Sequence, residues 1–192
     1  MLTAADLYSL EEYSRIRPEF KEKAIAHKRE RMVSLGDHVT LFFEDALTIK
    51  YQIQEMLRIE KAFEQDAIQD ELNAYNPLIP TGTDLKATMM IEYGDAEIRK
   101  KELSRLRGIE NRIYIQVQGH NPVFAVADSD MERSNGDKTS AVHFLEFNLT
   151  KNMIKQIKEG KKFILGIDHD YYEYSTPVEG QLRNSLSKDF NI

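Results

Sequence analysis

The chain has 192 residues, 41% hydrophobic and 30% charged, with a formal net charge of −6 and neither cysteine nor tryptophan. The absence of cysteine excludes disulfides, thiol nucleophiles, zinc–thiolate centres and Cys-ligated iron–sulfur clusters. The acidic balance disfavours nucleic acid as a partner of the whole molecule.

The chain opens on Met1-Leu2-Thr3-Ala4-Ala5-Asp6, which lacks the basic-then-apolar order of a signal peptide. No apolar run approaches the ~20 residues that span a bilayer. A cytoplasmic location and no membrane association are therefore expected. Thr3 is placed to cap a short helix, and Ser9-Leu10-Glu11-Glu12 has the form of a capping box that opens another. Arg17-Pro18 is expected to interrupt that helix, with a new one from Pro18 to about Val33 that ends at Gly36. This stretch is locally basic: Arg15, Arg17, Lys21, Lys23, Lys28, Arg29 and Arg31 stand against Glu19, Glu22 and Glu30. It reads first as the solvated face of a helix, and second as a docking surface for an acidic partner.

His38 to Glu44 alternates as a strand, with Val39, Leu41 and Phe43 on one face and His38, Thr40, Phe42 and Glu44 on the other. Helices are expected over about 45–63 and 65–74, closed off by Asn76-Pro77 and Ile79-Pro80-Thr81-Gly82. A strand follows over 85–93, and then a charged helix over 95–107 stopped by Gly108. Residues 113–117 and 123–127 read as a hairpin, and 128–140 as a mobile loop. Strands over 141–148 and 163–167 flank a helix capped by Thr150. The last dozen residues read as weakly held. Hairpin strands with segregated helices predict an α+β fold with helices packed on an antiparallel sheet. The whole is expected to be one domain: a helical N-terminal segment (1–36), an α+β core (37–175) and a weakly held tail (176–192).

No Walker loop, dinucleotide-binding glycine fingerprint, nucleophile elbow or HExxH occurs, and no Glu precedes a His by three residues. On a helical wheel, Ile49, Ile53, Met56, Leu57 and Phe63 define an apolar face of the helix near residue 50, with Lys50, Gln54, Arg58 and Lys61 opposite. Glu60 falls within the apolar stripe and Gln52 at its edge. A carboxylate so placed must be paired, metal-bound or protonated. Structural pairing, or a helix end open to solvent, is the commoner outcome. The functional alternative makes Glu60 a metal ligand or a general acid/base. Its partners would be His38, His143 and His169, at strand positions or strand ends, a donor set suited to iron or zinc. Their separations carry no ligand-spacing signature. The tyrosines at 171, 172 and 174 read as core cover. Ser140 and His143 sit on opposite strand faces, which argues against a hydrolytic pair.

The runs His38-Val39-Thr40-Leu41-Phe42-Phe43-Glu44, Tyr51-Gln52-Ile53-Gln54-Glu55-Met56-Leu57-Arg58, Tyr75-Asn76-Pro77-Leu78-Ile79-Pro80 and Ser140-Ala141-Val142-His143-Phe144-Leu145 carry a resemblance. They resemble the bacterial domain-of-unknown-function family numbered thirty-five hundred and one, over nearly the whole chain. The resemblance implies a context beside rubrerythrin-like proteins and iron–sulfur oxidoreductases. That context suggests an accessory or interaction protein, with a protein partner, in a redox or peroxide-stress system. The alternatives are a metal-binding protein or metal-dependent enzyme built on the four residues above, and a small-ligand-binding domain with a pocket between sheet and helices.

Overall fold

A computed structural model describes residues 1–127 and 138–191. The expected loop over 128–140 lies largely outside the described residues. The fold is α+β, as the alternation predicts, but its strands form two antiparallel sheets. Strands β1 (Met32–Leu35), β2 (Val39–Phe43), β3 (Asp84–Ile91), β6 (Val126–Ala127) and β7 (Val142–Asn148) form the first, in the order β1-β2-β3-β7-β6. Strands β4 (Ile113–Val117), β5 (Val123–Phe124), β8 (Phe163–His169) and β9 (Tyr172–Pro177) form the second, in the order β5-β4-β8-β9.

The alternation settles where the core sits. Leu41, Phe43, Leu85, Met89, Leu145 and Phe147 point inward from the first sheet, and Ile113, Ile115, Phe163, Leu165 and Ile167 from the second. Each fully buried side chain of this kind contributes about 1.5–3 kcal/mol. Helices α4 (Ala96–Arg105), α5 (Lys151–Lys158) and α6 (Gly180–Ser187) add Leu103, Ile154, Ile157 and Leu186 to the same core. A separate helical layer holds a smaller core. It consists of α1 (Leu10–Glu30), α2 (Ala46–Glu60) and α3 (Gln65–Tyr75), and Ile49, Ile53, Leu57 and Leu72 pack within it beside Leu2, Leu7 and Leu10.

Four expectations are corrected. Helix α1 runs unbroken through Pro18. The proline removes one backbone hydrogen bond, and burial of Tyr13, Phe20 and Ala24 on either side holds the helix together. The helix also ends earlier than expected, because Met32–Leu35 pairs with β2 in a hairpin turning at Gly36, whose φ of +73° suits glycine. The stretch 123–127 is two strands in different sheets: β5 pairs with β4, whereas β6 pairs with β7. Finally, the C-terminal residues are firmly docked. Leu186 and Phe190 are buried in the main core, and the Asn191 N–H donates to the Gly82 carbonyl.

Among the described residues no helix is long and apolar enough to cross a membrane.

Candidate functional site

The outer face of the first sheet does not reach solvent as an open surface. Registration places Phe42 beside Thr88 and Thr88 beside Phe144, with Met90 beside Val142 and Lys86 beside Glu146. These side chains are half-buried, and the helical layer leans over them. Helix α2 presents Ile49, Gln52, Met56 and Glu60 toward the sheet, at the three- and four-residue steps of one helix stripe. From α3 and the turn after it come Glu71, Ala74, Tyr75, Pro77 and Leu78. Between the layers lies a cleft of two lobes, with volumes of about 630 and 410 Å³. Tyr75, Leu78 and Phe144 line both.

The smaller lobe is walled mainly by Phe42, Ile49, Met90, Val142 and Phe144, and Glu44 stands in it. Glu44 is the residue after β2, and its N–H donates to the Lys86 carbonyl, so its side chain keeps the outward direction of Phe42. It is only 8% exposed. The Thr88 hydroxyl donates to its Oε1 at 2.7 Å and the Thr48 hydroxyl to its Oε2 at 2.5 Å. Glu44 forms no ion pair with any described residue.

The backbone that carries Glu44 is clamped by Arg31, whose side chain is almost wholly buried. Its guanidinium donates to the carbonyls of Phe43 and Glu44, both at 3.0 Å, to the Ser185 hydroxyl at 3.0 Å and to Asp189 at 2.5 Å. The same arginine thus ties the β2–α2 junction to the C-terminal segment. Next in the chain, Asp45 caps α2 by accepting from the Leu47 and Thr48 N–H groups. Burial works against its ionised form, but the Thr48 N–H, Arg31 and His27 outweigh it and hold the carboxyl below its ordinary range. Burial likewise pushes Asp189 up, with Arg31 opposing.

The larger lobe is more charged. Lys86 donates to the Pro77 carbonyl at 2.6 Å and pairs with Glu146 at 3.3 Å and Asp84 at 3.5 Å. Burial, with Glu60 and Asp70 nearby, raises the Glu71 carboxyl above its usual range.

The four residues singled out as a metal set fall in different places. Glu60, the last residue of α2, is exposed and lies on the rim of the larger lobe. His38 precedes β2, stacks on Tyr93 with ring centroids 4.0 Å apart, and bonds the Glu92 carbonyl through Nδ1. His143 points into the main core at 4% exposure, on the opposite face of the sheet from the cleft. Its Nε2 lies 2.8 Å from the Thr139 hydroxyl and 3.0 Å from the Ser140 carbonyl, with Glu110 at 3.9 Å. His169, at the end of β8 in the second sheet, bonds the Arg107 carbonyl. Among the described residues no group of three or more His, Asp or Glu is placed to hold a metal ion.

The helical wheel places Glu60 within the apolar stripe and Gln52 at its edge, and both line the cleft, Glu60 at its exposed rim. Gln54, assigned to solvent, is fully buried: its Oε1 accepts from the Tyr8 N–H at 2.6 Å, because the N-terminal segment crosses α2 there. Phe63 is 71% exposed, since the helix stops at Glu60 with Lys61 in the left-handed region. Sequence reasoning missed Glu44. The available signal was a second acid beside Asp45, when one acid suffices to cap a helix.

These features define a two-sheet α+β protein with a helical layer and a ligand-sized cleft between them. The chain belongs to the family described as Protein of unknown function (DUF3501), whose model matches residues 1–190. It is similar to a solved structure from Burkholderia pseudomallei K96243, described as a novel protein of unknown function. The two are 46% identical over 99% of each chain, with a TM-score of 0.93. No curated protein matches the chain.

Proposed function

We propose that this protein binds a small molecule in the cleft between the outer face of the β1-β2-β3-β7-β6 sheet and helices α2 and α3. The observation that carries the reading is the cleft itself: two adjoining lobes of about 630 and 410 Å³, within the size range of ligand pockets. The walls are largely apolar, with Gln52, Glu44 and the charged rim as the polar groups that would orient a guest. The accessory role in a redox or peroxide-stress system rests on the family resemblance, and the cleft is an observation independent of it. Of the four residues of the metal alternative, Glu60 alone lies on this cleft.

The test uses the neutral dye Nile red and a variant that fills the mouth, Ala74→Trp, at a position exposed to solvent. The dye should bind the native protein at one-to-one stoichiometry with blue-shifted emission. Its affinity should fall about tenfold or more in the folded variant. No binding, or binding that the variant leaves unchanged, overturns the proposal.

A further inference from the structure

The smaller lobe has an unbalanced polar group, and that imbalance names a ligand chemistry. A carboxylate removed from water needs a compensating charge or a full set of hydrogen bonds. Glu44 has two hydroxyl donors, one on each oxygen, whereas an ionised carboxylate offers about four acceptor positions. Two positions are left over, in a lobe whose other walls are Phe42, Ile49, Met90, Val142 and Phe144. Among the described residues that line this lobe, Lys28 is the one cation. Its ammonium makes no ion pair with Glu44 and lies 5.7 Å from the centroid of the Tyr51 ring.

The hydroxyls themselves are committed. The Thr48 oxygen also accepts from the Asp45 N–H, and the Thr88 hydroxyl bonds Glu44 alone among the described residues. Arg31, the nearest buried cation along the chain, spends its donors on the Phe43 and Glu44 carbonyls, Ser185 and Asp189. The fold therefore holds the carboxylate in place from the backbone side and leaves its charge to be met from the cleft.

We propose that the guest of the cleft is an aliphatic amine, its ammonium docked on the Glu44 carboxylate and its hydrocarbon body laid along Phe42, Met90, Val142 and Phe144. This deepens the reading of the cleft as a small-molecule site and rests on it. An ammonium carries three donors and a full charge, enough to fill the free acceptor positions and leave one donor for solvent or Gln52. An alkyl body then removes the surrounding apolar walls from water, which favours binding in proportion to the apolar area buried.

The experiment is calorimetric titration of the native protein with hexylamine, hexanol and hexanoate, alongside Nile red displacement. Hexylamine should bind and displace the dye, with about tenfold or greater preference over hexanol, and hexanoate should not bind. In Glu44→Gln, checked for folding by circular dichroism, the preference for the amine over the alcohol should vanish. The comparison of the three guests on the native protein does not depend on that variant's folding. Equal displacement by hexylamine and hexanol, or an unchanged preference in Glu44→Gln, overturns the amine proposal. In either case Nile red binding that Ala74→Trp weakens about tenfold or more still upholds the cleft. Failure of the dye as well as the amines removes both.

Discussion

At the scale of single residues, the strongest constraint lies at Arg31. Its guanidinium is buried against the Phe43 and Glu44 carbonyls, Ser185 and Asp189, so removing it strands both carbonyls and a buried carboxylate. Replacement by methionine should cost about 3–5 kcal/mol, read as a lower midpoint in urea denaturation. Glu55 gives a pH signature. Arg17 grips it through two nitrogens at 2.8 and 2.9 Å, and the Tyr13 hydroxyl donates to it at 2.8 Å. The Arg17 hydrogen bonds, opposed by burial and helped by Tyr13 and Arg58, bring the carboxyl from 4.5 down to about 2. Because the folded value is depressed, the unfolded chain takes up the proton first. The stabilisation is complete above 4.5 and is lost as pH falls toward about 2. Glu55→Gln should lower stability at neutral pH and flatten the stability–pH curve across that window, as measured by denaturation at stepped pH.

At the scale of elements, α1 carries a fault and the β1–β2 hairpin a clasp. Pro18 is exposed in the interior of α1, where it costs the helix a hydrogen bond without packing in return. Pro18→Ala should raise stability by about 1–3 kcal/mol, seen as a higher Tm in a thermal melt. The clasp is Tyr172 on β9, whose hydroxyl donates to the Leu35 carbonyl at 2.7 Å and accepts from the His38 N–H at 3.1 Å. It joins the edges of the two sheets at the turn where a β-carbon on Gly36 would come within 2.6 Å of that hydroxyl. Tyr172→Phe leaves both backbone groups without their partner and should cost about 1–3 kcal/mol in chemical denaturation.

At the scale of the whole molecule, the two sheets and the C-terminal segment form one core, and the helical layer a second, with the cleft between them. The docking of α6 through Leu186, Phe190 and the Arg31–Asp189 pair makes the C-terminus part of the fold. A chain ending at Val178 should lose the cooperative thermal transition, which a calorimetric scan would show. The same truncation removes the partner that fixes Arg31, and with it the clamp on the backbone that presents Glu44.

Much of the element pattern was legible in the chain. Alternation over 38–44, 85–93 and 141–148 and the caps at Ser9 and Thr150 mark local structure, because steric period and capping chemistry act over a few residues. Family membership was legible too, from the runs around His38, Tyr51, Tyr75 and Ser140. Period alone tells which residues share a face, but not what that face meets. Hence Glu60 within an apolar stripe and Gln52 at its edge stand out in the sequence, while the exposure of Glu60 at the helix end and the cleft that both residues line could not be seen. For the same reason Gln54 was assigned to solvent, since only the distant Tyr8 backbone covers it. Likewise, 123–127 was read as one strand, since its two halves take partners some ten and twenty residues away in opposite directions. The sequence by itself determined many of the local elements, the absence of thiol chemistry and the family. Only the tertiary structure decided where a buried carboxylate would stand with no cation paired to it among the described residues, because that depends on contacts among residues far apart along the chain.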